Sequence, residues 1–116
     1  MDIIIKPIKP QSNEYRLASK LLRFYASSEK VDLYDAICRS RKVSHFLALY
    51  TQKQLCGCLY LFPHPQYLAA YCLLTDVNYV SVSFQSAIET ILETRFPKLR
   101  IFLETKAYPL VMQDIE

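Results

Sequence analysis

The stretch FLALYTQKQLCGCLYLFP, residues 46–63, has the clearest structural pattern in the sequence and predicts a β-hairpin. Residues 45–50 and 55–62 are apolar runs of strand length, and the polar residues 51–54 between them suit a tight turn. The only glycine of the chain, Gly57, lies inside the second run, where it indicates a bulge or a close backbone approach. Pro63 and Pro65 end the second strand, because proline has no backbone N–H to donate.

Downstream of the hairpin, the sequence predicts a strand, a helix and a further strand. Residues 67–74 are almost continuously apolar, as expected for a strand that is covered on both faces. Apolar residues at helical spacing follow, and Pro97 stops the helix after Phe96. They are Phe84, Ala87, Ile88, Ile91 and Leu92. Residues 99–104 predict a last strand, and a crossover through a helix makes the sheet mixed.

Upstream of the hairpin, the sequence predicts a strand over residues 2–8, followed by two helices. The first helix extends to about Ser27, and the second, shorter one covers residues 32–39. The first has Leu17, Leu21, Phe24 and Tyr25 at helical spacing. We therefore expect an α/β (α+β) fold in one domain, residues 1–116, with element order β-α-α-β-β-β-α-β. Its sheet should be mixed, mostly antiparallel and of about five strands, with helices on both faces.

The composition, 52% hydrophobic and 22% charged, is that of an ordinary globular domain. No apolar run approaches the ~20 residues of a membrane-spanning helix. The start of the chain does not resemble a signal peptide, because the acidic Asp2 stands where a signal peptide has its basic residues. We expect a soluble cytoplasmic protein without membrane association. The four cysteines should be reduced, buried thiols; their spacing fits no zinc or redox motif, and we expect no metal. A net charge of +3 without an arginine-rich arm disfavours nucleic-acid binding.

This element order and three stretches of the sequence resemble the GNAT superfamily of N-acetyltransferases. Residues 46–63 are similar to the family's central hairpin, residues 67–94 to its fourth strand, coenzyme loop and following helix, and residues 99–105 to its fifth strand. The resemblance covers residues 2–105 and implies transfer of an acetyl group from acetyl-CoA to an amine. The chain resembles a degenerate, C-terminally shortened member, because the family's closing strands do not fit before Glu116.

The resemblance implies a coenzyme A site at the start of the helix that follows the fourth strand. Family members place two small residues there, mostly glycines, so that backbone N–H groups can surround the pyrophosphate. Ser83 and Gln85 stand at those positions, and Val80 replaces the family's Arg or Gln. A notch between the fourth and fifth strands would hold the pantetheine. The implied coenzyme-binding residues are Cys72, Leu73, Leu74, Ser81, Val82, Ser83, Phe84, Gln85 and Ser86.

The catalytic groups that the resemblance implies have weak counterparts in this chain. The family's general base is often a Glu on the fourth strand, but residues 67–74 contain no carboxylate. Asp76, just after that strand, and Glu104, on the fifth, are the candidates; a turn-capping role and a surface position are their ordinary alternatives. Tyr108 is the candidate for the general acid that protonates the departing thiolate.

Two functional hypotheses follow. The first is a divergent acetyl-CoA-dependent N-acyltransferase that works mainly by holding amine and thioester together. The second is a non-catalytic interaction module, a pseudoenzyme whose fifth strand, with Ile101 and Leu103, is an open sheet edge. That edge would form a homodimer or bind a protein partner. The nine Tyr and six Phe, several of them in exposed-looking loops (Tyr67, Tyr79 and Tyr108), suit an interaction surface, and filling a small core is their ordinary alternative. A different α+β topology with the same element order is a further alternative.

Overall fold

One five-stranded mixed sheet organises the residues that the computed structural model describes, 2–29 and 46–108. Its strands are β1 (Ile3–Pro7), β2 (Phe46–Thr51), β3 (Gln54–Pro63), β4 (Tyr67–Leu74) and β5 (Arg100–Ala107). The helices are α1 (Asn13–Glu29) and α2 (Val82–Arg95), and a 3₁₀ turn, Val77–Tyr79, precedes α2. The predicted α+β class with a mixed sheet of five strands is confirmed. The second short helix predicted over residues 32–39 lies outside the described residues.

The strands stand side by side in chain order, from β1 at one edge to β5 at the other. The β1–β2, β2–β3 and β3–β4 pairs are antiparallel, and β4–β5 is parallel. The parallel pair arises because α2 carries the chain back over one face of the sheet before β5 begins. The predicted mostly antiparallel sheet with one parallel crossover is therefore present.

The β2–β3 hairpin has two local features that follow from its residues. Its turn places Gln52 at φ 53° and Lys53 at φ 64°, as in a type I′ turn, although neither is the glycine or asparagine that such turns favour. The register then shifts between Leu49 and Tyr50, which makes a β-bulge close to Gly57. A Cβ on Gly57 would lie 2.3 Å from the carbonyl oxygen of Leu73, so only glycine fits there.

In the described part of the chain, each face of the sheet is covered by one helix, which gives two hydrophobic clusters. The α1 side is centred on Tyr60, whose buried hydroxyl donates a hydrogen bond to the carbonyl of Ala18 in the middle of α1. The α2 side contains Phe84, Ile88 and Leu92, which pack onto the buried residues of β3 and β4. This arrangement confirms the expectation of helices on both faces.

The first turn of α1 has side-chain partners that fix its position. The Ser12 hydroxyl accepts a hydrogen bond from Tyr15 N at 3.2 Å, and Glu14 in the first turn accepts one from the Tyr50 hydroxyl at 2.8 Å. The Glu14 bond joins α1 to β2, since its two partners lie 36 positions apart in the chain. Within residues 2–29 and 46–108, neither helix has the length and apolar character needed to cross a membrane.

Candidate functional site

The segment predicted to bind the coenzyme phosphates begins α2. Ser81 is the N-cap residue, and its hydroxyl accepts a hydrogen bond from the backbone N–H of Phe84 at 3.1 Å. Phe84 itself is fully buried in the core, whereas Val82 is 84% exposed. The predicted segment therefore divides into a capping residue, a core residue and surface residues.

A shallow depression of about 360 Å³ lies beside this helix start. The structure brings Ser81, Val82, Gln85 and Ser86 together around it, with Glu89 at its margin. The Gln85 side chain donates a weak hydrogen bond to the Glu89 carboxylate at 3.4 Å, so it is directed along the helix. The described residues that line the depression include no Lys or Arg, and the Glu89 carboxylate opposes a pyrophosphate through like charge.

Cys72, Leu73 and Leu74, predicted to line a notch for the pantetheine, are fully buried within β4. β4 and β5 pair from Tyr67 opposite Arg100 to Leu74 opposite Ala107, without separating. The Tyr108 N–H then donates to the Leu74 carbonyl at 2.8 Å and extends the pairing by one step. The two strands therefore do not separate along β4, because their backbone groups bond to each other, and a depression of about 200 Å³ lies over the pair beside Tyr71 and Phe102.

Each candidate catalytic residue has a structural partner. Asp76 is the N-cap residue of the 3₁₀ turn, and its carboxylate accepts a hydrogen bond from Asn78 N at 2.9 Å. Glu104 accepts a hydrogen bond from the Tyr25 hydroxyl at 2.6 Å. Tyr108 continues the β4–β5 ladder, and its ring lies 6.1 Å from that of Phe24. These roles match the ordinary alternatives that the sequence left open for Asp76 and account for the half-buried position of Glu104.

The Glu104 carboxylate stands in a small polar group that joins α1 to β5. Lys106 Nζ lies 3.6 Å from the carboxylate, and the Tyr71 ring lies 5.4 Å from that of Tyr25. Burial, and then the hydrogen bond to Glu104, raise the pKa of Tyr25 well above its ordinary value. Tyr25 therefore keeps its proton at neutral pH and acts as a donor that holds the carboxylate in place.

The outer side of β5 is the second surface of interest. The N–H groups of Arg100 and Tyr108 donate to Gln66 and Leu74, which places these even-numbered residues' backbone groups toward β4. Because backbone direction alternates along a strand, the odd-numbered residues direct their N–H and C=O groups away from the sheet. These are Ile101, Leu103, Thr105 and Ala107, and we call their outward backbone groups the β5 edge.

A row of partly exposed rings lies beside the β5 edge on the α1 side of the sheet. His64 stacks on Tyr67 at 4.2 Å, and Tyr67 meets Phe102 edge to face at 5.6 Å. The Arg100 guanidinium lies 5.1 Å from the centre of the Phe102 ring. Phe102 is 50% exposed and Tyr67 38%. We call these four residues the aromatic strip.

Sequence reasoning named Tyr67 as a loop residue that fits an interaction surface, but it missed Phe102 and Arg100. The available signal was the alternation within β5, where Arg100, Phe102 and Glu104 share one face and Ile101 and Leu103 the other. The prediction of an open edge considered only Ile101 and Leu103 and did not include the residues on the opposite face of the same strand.

The cysteines have no catalytic or metal-binding arrangement in the described part of the chain. Cys56, Cys58 and Cys72 are buried free thiols, as predicted. Burial raises the pKa of Cys56 to about 11 and raises the pKa of Cys58 and of Cys72 well above the ordinary value. Residues 2–29 and 46–108 contain no cluster of three or more His, Cys, Asp or Glu that could hold a metal ion.

The predicted site residues thus fall in separate places: the depression beside α2, the buried end of β4, and the polar group on β5. No protein-family model matches this sequence, and the curated proteins compared with it include no match. The functional proposal for this chain therefore depends on its own residues and geometry.

Proposed function

We propose that this chain is a non-catalytic interaction module that binds a β-strand of another polypeptide along the β5 edge. The main observation behind the proposal is the position of β5 in the sheet. It is eight residues long, and β4 is its only neighbouring strand among the described residues. An edge of this length offers alternate N–H and C=O groups that a partner strand can pair with.

The other edge of the sheet is less suitable for a partner. β1 has five residues and ends in Pro7, which has no N–H to donate. Lys6 precedes it and lies over the Tyr50 ring at 5.2 Å. Both strands carry a lysine, Lys6 in β1 and Lys106 in β5, but only β1 is short and ends in a proline, which is a usual protection of a sheet edge. The comparison of the two edges favours β5 as the binding strand.

A GNAT-like fold is part of the proposal. It is supported by the order of the strands, by the single parallel pair between β4 and β5, and by the helices on opposite faces. The continuous β4–β5 pairing supports a non-catalytic role, because a thioester would need space between these strands. The structural partners of Asp76, Glu104 and Tyr108 support it as well.

The test compares three forms of the full chain: the wild type, Phe102→Lys and Ile4→Lys. Each form carries an affinity tag and is produced together with untagged copies of the chain, and the chain that co-purifies with it is measured. Phe102→Lys puts a cation beside the β5 edge at a half-exposed position, whereas Ile4→Lys makes the same change on β1, where the side chain is 47% exposed. We expect the wild type and Ile4→Lys to retain the same bound chain, and Phe102→Lys to lose it. Equal retention by all three, or by none, would reject binding at the β5 edge.

A second candidate function is acetyl transfer from acetyl-CoA to an amine. It is favoured by one observation, the depression lined by Ser81, Gln85 and Ser86 at the start of the 14-residue helix α2. A calorimetric titration with acetyl-CoA tests it, with Glu89→Gln as the informative variant. We expect Glu89→Gln to bind more tightly because it removes the opposing charge. No heat and no thermal stabilisation at millimolar acetyl-CoA would reject this candidate.

A further inference from the structure

We infer that the partner strand is β5 of a second copy of this chain, paired antiparallel with Phe102 opposite Phe102. This inference rests on the proposed function and goes further, because it names the partner and the register. Two identical copies most often associate about a two-fold axis, and such an axis places two identical edge strands antiparallel. The joined sheets would form one continuous sheet across the two copies.

The backbone geometry of β5 limits the registers that a two-fold axis allows. Only the odd-numbered residues direct their N–H and C=O groups outward, so an odd-numbered residue must stand opposite another odd-numbered residue. The axis must therefore pass beside a residue rather than between two residues. The candidates in the middle of the strand are registers centred on Phe102, Leu103, Glu104 and Thr105.

The register centred on Phe102 satisfies the side chains on both faces. Ile101 stands opposite Leu103 on the α2 side, and these two pairs exchange about four backbone hydrogen bonds between the copies. On the α1 side Arg100 stands opposite Glu104, and the symmetry makes this favourable charge pair twice. The two Phe102 side chains meet at the axis in a non-hydrogen-bonded pair, where opposite side chains are closest. The partly exposed rings would be buried against each other.

Two of the three neighbouring registers bring like charges together, and the third repeats an ion pair that already exists within one chain. Centring on Leu103 places Arg100 opposite Lys106, and centring on Glu104 places two carboxylates opposite each other, so both bring like charges together. Centring on Thr105 places Glu104 opposite Lys106, but those residues already lie 3.6 Å apart within one chain. That register only replaces this contact within one chain by the same contact between chains, and it places Phe102 opposite Tyr108 instead of a second Phe102. Charge and exposure therefore select Phe102.

The first test uses charge reversal and mixing, followed by sedimentation equilibrium of the full chain. Arg100→Glu alone creates two carboxylate pairs in the homodimer, and Glu104→Arg alone creates two guanidinium pairs. We expect each variant to dimerise at least about tenfold more weakly than the wild type. When the two variants are mixed, each changed residue faces its opposite charge in the other chain, so we expect the dimer to return.

The matched control for Glu104→Arg is Asp2→Arg, which makes the same change of charge at an exposed residue directly before β1, at the opposite edge of the sheet. We expect Asp2→Arg to dimerise like the wild type. Circular dichroism of every variant confirms that the sheet is retained. A wild-type dimer with no recovery on mixing would overturn the Arg100–Glu104 pairing.

The second test fixes the register by a disulfide. Opposite residues of a non-hydrogen-bonded antiparallel pair have Cα atoms about 4.5 Å apart, a distance that a disulfide can span. Phe102→Cys should therefore cross-link two copies in the presence of oxidised glutathione. Arg100→Cys lies on the same face of β5, but its symmetry mate is several residues away and should not cross-link. The wild-type chain, oxidised in parallel, measures any cross-link formed by its own four cysteines.

The outcomes separate this inference from the proposed function. A dimer that cross-links through Phe102→Cys and recovers on mixing the charge variants supports both. A dimer that cross-links only through Arg100→Cys or Thr105→Cys overturns the register. A wild type that sediments as a monomer at millimolar concentration overturns the second copy as the partner. In that last case the proposed function still stands if another chain is lost from Phe102→Lys, and fails if none is.

Discussion

Replacing Gly57 by alanine is the most direct test of the sheet as described. Gly57 lies in β3 between Leu49 of β2 and Leu74 of β4, beside the β-bulge of the hairpin. Its added Cβ would lie 2.3 Å from the carbonyl oxygen of Leu73 and 2.9 Å from the Cα of Leu74. Both neighbours are backbone atoms of a central strand, so they cannot move away as a side chain can.

The size of the effect follows from these distances. Ordinary contact for a Cβ begins at 3.4 Å, so the β3 and β4 backbones must separate by about 1 Å at this point. Such a separation lengthens the neighbouring β3–β4 hydrogen bonds and loosens the packing of the buried Leu74 side chain. We expect Gly57→Ala to lower the free energy of unfolding by about 2–4 kcal/mol.

Urea denaturation followed by circular dichroism measures this loss. Gln54→Ala is the matched control, because it places alanine at the exposed start of the same strand and should change the free energy of unfolding little. A second comparison adds Leu74→Val, which shortens the side chain whose Cδ2 also lies 2.9 Å from the added Cβ. The clash with the backbone remains, so Leu74→Val should not rescue Gly57→Ala. A Gly57→Ala chain as stable as wild type, or a full rescue, would refute this account of the strand contact.

Three further predictions concern the hairpin and α1. Tyr60→Phe removes the buried hydrogen bond to the Ala18 carbonyl and should lower the free energy of unfolding by about 1–2 kcal/mol in urea. Lys53→Gly relieves a left-handed residue at φ 64° and should raise the melting temperature, with a gain of about 0.5 kcal/mol. A backbone hydrogen bond, and then the Tyr50 hydroxyl, hold the pKa of Glu14 below its ordinary value. The depressed pKa gives stability that is present above the unfolded-state pKa and lost as pH falls through the folded-state pKa, so Glu14→Gln should flatten the acid side of the stability curve.

Each of these has its own control. Tyr50→Phe, at a part-buried bond, should cost less than Tyr60→Phe, and the reverse order would contradict the docking role given to Tyr60. Gln54→Gly, outside the two turn positions, should destabilise the chain; a similar gain there would mean that the turn conformation is not the cause. Identical acid unfolding of wild type and Glu14→Gln would show that Glu14 has no such bonds in the folded state.

The fold could be predicted from the sequence wherever the local pattern of side chains determines the backbone conformation. Strand-length apolar runs on either side of residues 51–54 predicted the hairpin, and the position of the only glycine predicted a bulge or a close backbone approach at Gly57, where the structure has both. The stripe from Phe84 to Leu92 predicted α2, and a helical crossover predicted the parallel β4–β5 pair. These patterns depend on neighbours in sequence, which a single chain displays.

The candidate site could be predicted only in part, because it depends on contacts between distant residues. The hydrogen bond between Tyr25 and Glu104 joins residues 79 positions apart, and no local pattern announces it. Whether β4 and β5 separate is decided by backbone hydrogen bonds, which every residue type can make, so the side chains of residues 72–74 could not reveal the closed ladder. The exposure of Phe102 was not predicted, because an aromatic residue in a strand is as common in a core as on a surface.

The buried thiols of Cys56, Cys58 and Cys72 give the molecule an internal measure of its own opening. Thiolates react with alkylating reagents and thiols do not, and burial raises the pKa of all three while excluding the reagent. They lie on β3 and β4, two of the three interior strands of the described sheet, so their alkylation requires the sheet itself to open. The rate at which these thiols are alkylated without denaturant therefore measures how often the native sheet opens.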